Sequence, residues 1–170
     1  MVVDVQQGMF AVPSPLHRGA EVVRCIAGLL ERARAEGVPV VHIQHDGGPG
    51  HVLAKGSPGW PHHPLAAPRA GEMVVEKRHS SAFHDTDLHR RLGDAGIDRL
   101  IVAGMQTEMC VDSACRGAAA LDYRVVLVAD AHTTYDTPVL GADLIIAHHN
   151  RLLSRAFVEL VEAWQVRFQE

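Results

Sequence analysis

The sequence predicts an α/β domain, a mostly parallel sheet of about six strands with helices on both faces, in a Rossmann-like three-layer sandwich spanning residues 1–170. Three observations predict it. Short apolar runs alternate along the chain with segments of helical period, the order that builds a parallel sheet. The 170 residues fall within the one-domain range of roughly 100–200. The composition is that of a globular chain, with 47% hydrophobic and 21% charged residues.

Met1-Val2-Val3-Asp4-Val5 opens the chain as a strand. Over residues 20–35, Val22, Val23, Ile26, Leu29, Leu30 and Ala33 recur at helical spacing, and Gly37 is the stop. Residues 38–43 read as a short strand. From 44 to 71 the glycines and prolines exclude regular structure, and so long a loop in a compact domain is usually functional. Residues 73–76 form a strand ending at Lys77. Thr86 reads as the N-cap of a helix running to Leu92, closed near Gly93 or Gly96.

Further on, residues 100–103 are a buried strand ending at Gly104, and 110–121 a helix. Residues 125–129 form a strand and 139–149 a helix. The face made by Leu152, Leu153, Phe157, Leu160 and Val161 predicts a helix over 151–162, and Val166 opens a short last strand.

Composition also bounds function. Sixteen basic and 20 acidic residues give a formal charge of −4, with no long basic run, which argues against nucleic acid as a partner. No apolar stretch approaches the roughly 18 residues of a membrane helix, and no secretory leader pattern opens the sequence. Three cysteines, Cys25, Cys110 and Cys115, make no disulfide framework, so the reading is cytoplasmic. The 12 histidines are spread rather than clustered, which favours loop and surface roles for most of them.

Ligands of open α/β sheets bind outside the carboxyl ends of the strands. Asp4 interrupts the apolar first strand, Lys77 ends the third, and Cys110 lies just past the fourth, where a helix begins. Singly, each reads most simply as an edge carboxylate, a surface lysine or an inert core thiol. Together they converge on one rim with complementary chemistry. A helix N-terminus and an ammonium favour a thiolate, while a carboxylate raises the thiol pKa but can carry its proton.

These residues sit in recognisable surroundings: Val3-Asp4-Val5-Gln6 with Gly8-Met9-Phe10, Glu76-Lys77 with Ser81-Ala82-Phe83, and Gly104-Met105-Gln106-Thr107-Glu108-Met109-Cys110-Val111. Ala114 and Asp130-Ala131 add to them. Nearly end to end, the sequence resembles the isochorismatase-like cysteine hydrolases, which include nicotinamidases and other small-amide hydrolases. The resemblance implies Cys110 as nucleophile, Asp4 as general base and then acid, and Lys77 as the charge organising the pair. It implies an oxyanion hole from the backbone N–H groups of Gln106 and Cys110, with a cis peptide at Met105–Gln106. The partner is then a small-molecule amide, and the protein a homodimer or higher homo-oligomer. Phe10, His45, Trp60 and Phe83 are candidates for the pocket wall, each weighed against ordinary packing.

Two departures qualify the likeness. Nicotinamidases of the family carry an Asp-x-His metal pair after the second strand, whereas this chain reads Gln44-His45-Asp46-Gly47. The expectation is therefore no metal and no cofactor, with His45, Asp46, His51, His62 and His63 as the residues that would hold one. Relatives also have several residues before the first strand, so this strand should be short. Other readings are an isochorismate-type vinyl-ether hydrolase, in which the nucleophile position is not cysteine, and a non-catalytic small-molecule binding protein. A nicotinamide or flavin enzyme is disfavoured because no Gly-x-Gly-x-x-Gly follows the first strand. Cys25 reads as core, and Cys115, five positions on, points away from Cys110.

Overall fold

The computed structural model describes residues 1–169; Glu170, the last residue of the expected domain, lies outside the described residues. Six strands form one sheet: β1 (Val2–Val3), β2 (Val41–His45), β3 (Met73–Lys77), β4 (Arg99–Met105), β5 (Arg124–Thr133) and β6 (Glu159–Val161). Their order is β3-β2-β1-β4-β5-β6 and every pairing is parallel. This is the doubly wound order whose direction reverses between β1 and β4, where such sheets bind ligands. Four helices cover the faces: α1 (Gly19–Ala35), α2 (Leu88–Asp94), α3 (Asp112–Ala120) and α4 (Ala142–Leu153). None is long and apolar enough to cross a membrane.

Strand periodicity puts successive side chains on opposite faces, and β1 shows it within two residues. Val2 joins the cluster under α1, with Ile26, Leu30 and Met105, whereas Val3 joins the opposite one, with Ile43, Leu92, Val102 and Ala114. Ile26, wholly buried at the centre of α1, contributes about 1.5–3 kcal/mol by leaving water. The sheet tolerates one very close approach. At Gly104, φ is +136° and a Cβ would lie 2.1 Å from the Val3 carbonyl oxygen, so only glycine fits between β1 and β4.

Several boundaries differ from the sequence reading, among them β5, which runs to Thr133 and not to 129, and α4, which starts at Ala142 and not at 139. β1 ends at Val3 because Asp4 turns left-handed, with φ +52°. β2 runs Val41–His45 rather than over 38–43. The α2 N-cap is Asp87, although the Thr86 hydroxyl still accepts from the Leu88 N–H at 3.4 Å. The largest correction is at the C-terminal end. No helix spans 151–162: α4 itself continues to Leu153, and Glu159–Val161 is strand β6, pairing with Val126–Val128. Val166 follows a 3-10 turn and opens no strand. Short apolar runs do not by themselves separate helix from strand, and here the open edge of β5 decided.

The long loop is pinned rather than free. Its 57–63 stretch runs antiparallel to the segment after β1, through Gln7 N–H to Pro61 O (2.8 Å), Gly8 N–H to Gly59 O (2.9 Å) and His63 N–H to Val5 O (2.8 Å).

Candidate active site

Asp4 leaves the end of β1, Lys77 is the last residue of β3, and Cys110 sits in a single π-helical turn, Thr107–Val111, between β4 and α3. Lys77 must reach across β2 to meet the other two, and its Nζ does so with four neighbours. It lies 2.8 Å from Asp4 Oδ2, 3.2 Å from Cys110 Sγ, 3.0 Å from the His79 carbonyl oxygen and 3.3 Å from His45 Nδ1. Asp4 and Lys77 are both buried and Cys110 is half-buried. The left-handed turn at Asp4, a conformation Asp tolerates better than most residues, keeps its N–H bonded to the Ile43 carbonyl oxygen at 3.0 Å. Asp4 Oδ1 is buried with no hydrogen-bond partner.

The electrostatics resolve the contest the sequence left open. Burial first, then the negative charge of Asp4, push the Cys110 thiol up to about 12, against the opposing pull of Lys77. Burial and Asp4 thus favour the thiol, against the thiolate that the helix N-terminus and Lys77 would favour alone. Burial and then Lys77 also push the His45 imidazole below its ordinary value. Its Nδ1 can then accept from the Lys77 ammonium.

The cysteine turn is braced on three sides. The Met105–Gln106 peptide is cis, as expected. Thr107 Oγ1 lies 2.8 Å from His132 Nδ1, and His132 Nε2 lies 2.8 Å from Asn150 Oδ1. Burial lowers His132 to about 4, so the ring is neutral, donates from Nε2 to the Asn150 oxygen and accepts the Thr107 hydroxyl at Nδ1. Glu108 Oε1 accepts from the Thr134 hydroxyl at 2.8 Å, and Gln106 Nε2 donates to the same Thr134 oxygen at 3.5 Å.

A profile of the Isochorismatase domain family matches residues 1–142. The chain belongs to the isochorismatase family. Among relatives, a streptothricin hydrolase of Streptomyces noursei is 45% identical over 138 residues, 81% of this chain and 55% of the relative. A maleamate amidohydrolase of Pseudomonas putida is 29% identical over 147 residues, 76% of this chain and 69% of the relative. The chain thus spans about half the length of the streptothricin hydrolases it matches. A solved isochorismatase from Pseudomonas putida superposes with a TM-score of 0.92 at 30% identity, covering 98% of this chain and 88% of that one. A hydrolase of the isochorismatase family from Chromobacterium violaceum gives 0.90 at 31%, covering 96% and 88%.

Within this family fold, the expected pocket residues occupy different places. His45 is at the site. Trp60 is tied to its margin, its carbonyl oxygen accepting from Gln6 Nε2 (2.9 Å) and Gln44 Nε2 (3.0 Å). Phe10 packs against the His63 ring, 4.6 Å between centroids, and on the α1 cluster. Phe83 stacks on Tyr123 at 5.9 Å and lies over Gly117 of α3. The histidines and Asp46 are largely used by the loop itself. Asp46 Oδ1 accepts from the N–H groups of Gly48 and Lys55, and its Oδ2 from Arg78. Nδ1 of His51 and of His63 accept from the N–H groups of Leu53 and Leu65. Among the described residues, no three His, Cys, Asp or Glu side chains gather as a metal site. Cys115 is core, and Cys25 is half-buried with its thiol raised to about 11 by burial and then Asp130.

Residue-by-residue reading missed Gln6. Fully buried, it accepts from the His45 N–H at 2.9 Å and donates to the His45 carbonyl oxygen at 3.1 Å, so it ties the end of β2 to the loop. The Thr107–His132–Asn150 chain and the His79 carbonyl were missed as well. The one available signal was a polar residue, Gln6 or His132, inside an apolar strand-like run.

Proposed function

We propose that the protein is a cysteine hydrolase that cleaves a small amide-type C–N bond through a thioester, with Asp4, Lys77 and Cys110 as its catalytic residues. The observation that carries the reading is the buried Lys77 ammonium, 2.8 Å from Asp4 and 3.2 Å from the Cys110 sulfur. A thiol held at about 12 is not a nucleophile until a base removes its proton, and Asp4 Oδ1 is the buried acceptor without a partner. As sulfur attacks the carbonyl carbon, the thiol proton passes to Asp4. The oxyanion is held by the N–H groups of Gln106 and Cys110. Asp4 then protonates the leaving nitrogen, the C–N bond breaks and a thioester remains. Water, deprotonated by Asp4, attacks it; the C–S bond breaks and the thiol regains its proton. Lys77 holds Asp4 against the sulfur throughout.

The same reading takes residues 1–170 as one domain, places the protein in the cytoplasm and has it act as a homodimer or higher oligomer without a cofactor. His45 and Trp60 wall the pocket, together with Phe10 and Phe83. Relatives named streptothricin hydrolase, maleamate amidohydrolase and ureidoacrylate amidohydrolase support an amide substrate, and their named substrates head the screen. A panel of amides, ureas and cyclic amides is assayed for amine release. Peptide mass spectrometry then seeks an aldehyde-analogue adduct, expected at Cys110 and absent in Cys110→Ala. Turnover by Cys110→Ala of a substrate that the wild type hydrolyses would overturn the assignment.

A further inference from the structure

One face of α4 combines exposed apolar surface with unpaired charge. Val139 and Leu140, on the entry to the helix, and Leu144, in its first turn, are 86%, 46% and 58% exposed. Other exposed large hydrophobics, such as Leu65, Leu121 and Trp164, stand singly along the chain, which needs no special cause. Within α4, Leu144, Ala147 and Arg151 follow at i, i+3 and i+7. Asp143 reaches Ala147 and Arg151 at i+4 and i+8, so the four share one side of the helix. All four are exposed.

Charge says what covers that side. The other helices pair their surface charges within about a turn: Arg18 with Glu21 at the start of α1, Arg90 with Asp87 and Asp94 along α2, and Arg116 with Asp112 on α3. Asp143 and Arg151 form no ion pair among the described residues. Two turns of helix hold them about 12 Å apart, too far to meet. Each sign suits its end of the helix dipole, yet each lacks a counter-charge within ion-pair distance. Their midpoint is Ala147, the smallest side chain on the face and the one that lets another helix come closest. Turned end for end about Ala147, the face matches itself. Asp143 falls opposite Arg151 of a second copy, Arg151 opposite that copy's Asp143, and the two Leu144 side chains flank the axis. A parallel arrangement would set like charges together.

We propose that this face of α4, with Val139 and Leu140 beside it, is a homodimer contact whose occupant is a second copy of the chain, packed antiparallel about Ala147. A twofold contact uses the same patch twice, so one leucine and one acid–base set per chain become two of each in the interface. This gives a surface to the homo-oligomer proposed above and rests on that part of the reading alone; the cysteine chemistry stands or falls separately.

Sedimentation equilibrium of the intact chain over a dilution series tests it, with circular dichroism confirming that each variant is folded. The wild type should run as a dimer or a larger assembly. Asp143→Arg places like charges opposite each other twice per contact and should raise the dissociation constant about 10-fold or more. Arg151→Asp should do the same. Asp143→Arg/Arg151→Asp restores opposite charges and should return the constant to within about 3-fold of wild type, although both charges then oppose the helix dipole. A role confined to the dipole predicts the reverse, with the double variant worst. Leu144→Glu should halve the assembly and leave the fold intact, because the side chain is exposed. A wild type that is monomeric at every concentration overturns both this contact and the homo-oligomer. An assembly that tolerates Leu144→Glu and both charge reversals, or two losses that the double variant fails to recover, overturns the contact and leaves the homo-oligomer standing.

Discussion

At the carboxyl end of the sheet, the buried Asp4 and Lys77 meet Cys110 within hydrogen-bond distance, and Asp4 Oδ1 is left as an unsatisfied acceptor. At the amino end, the same strands border a cavity of about 520 Å³ lined by Ile26, Leu29, Leu30, Val40, Leu100 and Phe168. The amino-end space is lined mostly by apolar side chains and, among the described residues, holds no thiol beside a carboxylate and an ammonium. In an α/β sheet the turns that follow the strands, with the free N–H groups of the next helix, all face the carboxyl end. Chemistry therefore collects at one end whatever the volumes are. Buried, mutually supporting polar groups mark the site.

The comparison breaks most sharply at the sulfur. Cys110→Ala should lower turnover on the order of 10⁴-fold or more, whereas Cys25→Ala and Cys115→Ala should retain it, because only Cys110 lies against Lys77 and Asp4. Steady-state kinetics on any amide found in the screen checks this. Equal losses for Cys110 and Cys115 variants would mean that packing, not chemistry, was being measured.

Next in size is the buried ion pair. Lys77→Met leaves Asp4 buried without its cation and should destabilise the fold by about 3–5 kcal/mol, read as a lowered denaturant midpoint. Adding Asp4→Asn should recover much of that stability and none of the activity. Stability that stayed low in the double variant would show that Lys77 matters more for its contacts with His45 and the His79 carbonyl.

Two buried imidazoles carry a titration of their own. His42 and His132 are each lowered from 6.5 to about 4 mainly by burial. Below pH 6.5 the unfolded chain then binds protons that the folded one refuses. Their contribution to stability is fully present above pH 6.5 and is lost as pH falls to 4. Denaturant midpoints from about pH 7.5 to 4 should show the decline. A flat profile would mean that neither ring is held neutral by burial.

The two ends were unequally legible in the sequence. Asp4, Lys77 and Cys110 stood out because a charged or reactive residue at the end of an apolar run has few structural uses. Their convergence follows from strand order, which the alternation of elements already constrained. Gln6, His79, Thr134 and Asn150 did not stand out, because their value lies in partners 39, 2, 26 and 18 positions away that only the folded chain supplies. The sign of the Cys110 shift was hidden for the same reason, since burial outweighs both charges and burial is a tertiary quantity. The 151–162 region was misread because Leu152, Leu153, Phe157, Leu160 and Val161 fit a helix face, while an unpaired β5 edge invited a strand.

The smallest expected effect is none at all, and it concerns the loop between the two ends of β2 and β3. Chelation should leave activity unchanged. Most of the candidate ligands are already engaged, His62 with its buried, unpartnered Nε2 being the exception. Asp46 spends one oxygen on the N–H groups of Gly48 and Lys55 and the other on Arg78, and these bonds hold its carboxyl below its ordinary pKa. His51 and His63 each spend Nδ1 on the backbone two residues on, and His45 offers Nδ1 to Lys77. A metal drawing on Asp46 would have to break the bonds that shape this loop, and one bound at His45 Nδ1 would compete with the ammonium that organises Asp4 and Cys110. Dialysis against EDTA followed by assay, with zinc, iron and manganese added back separately, measures the outcome. Unchanged rates fit a site complete in Asp4, Lys77 and Cys110; activity lost and then restored by one of the three metals would show that the loop opens to bind it, and would move the centre of the site from the cysteine turn toward β2.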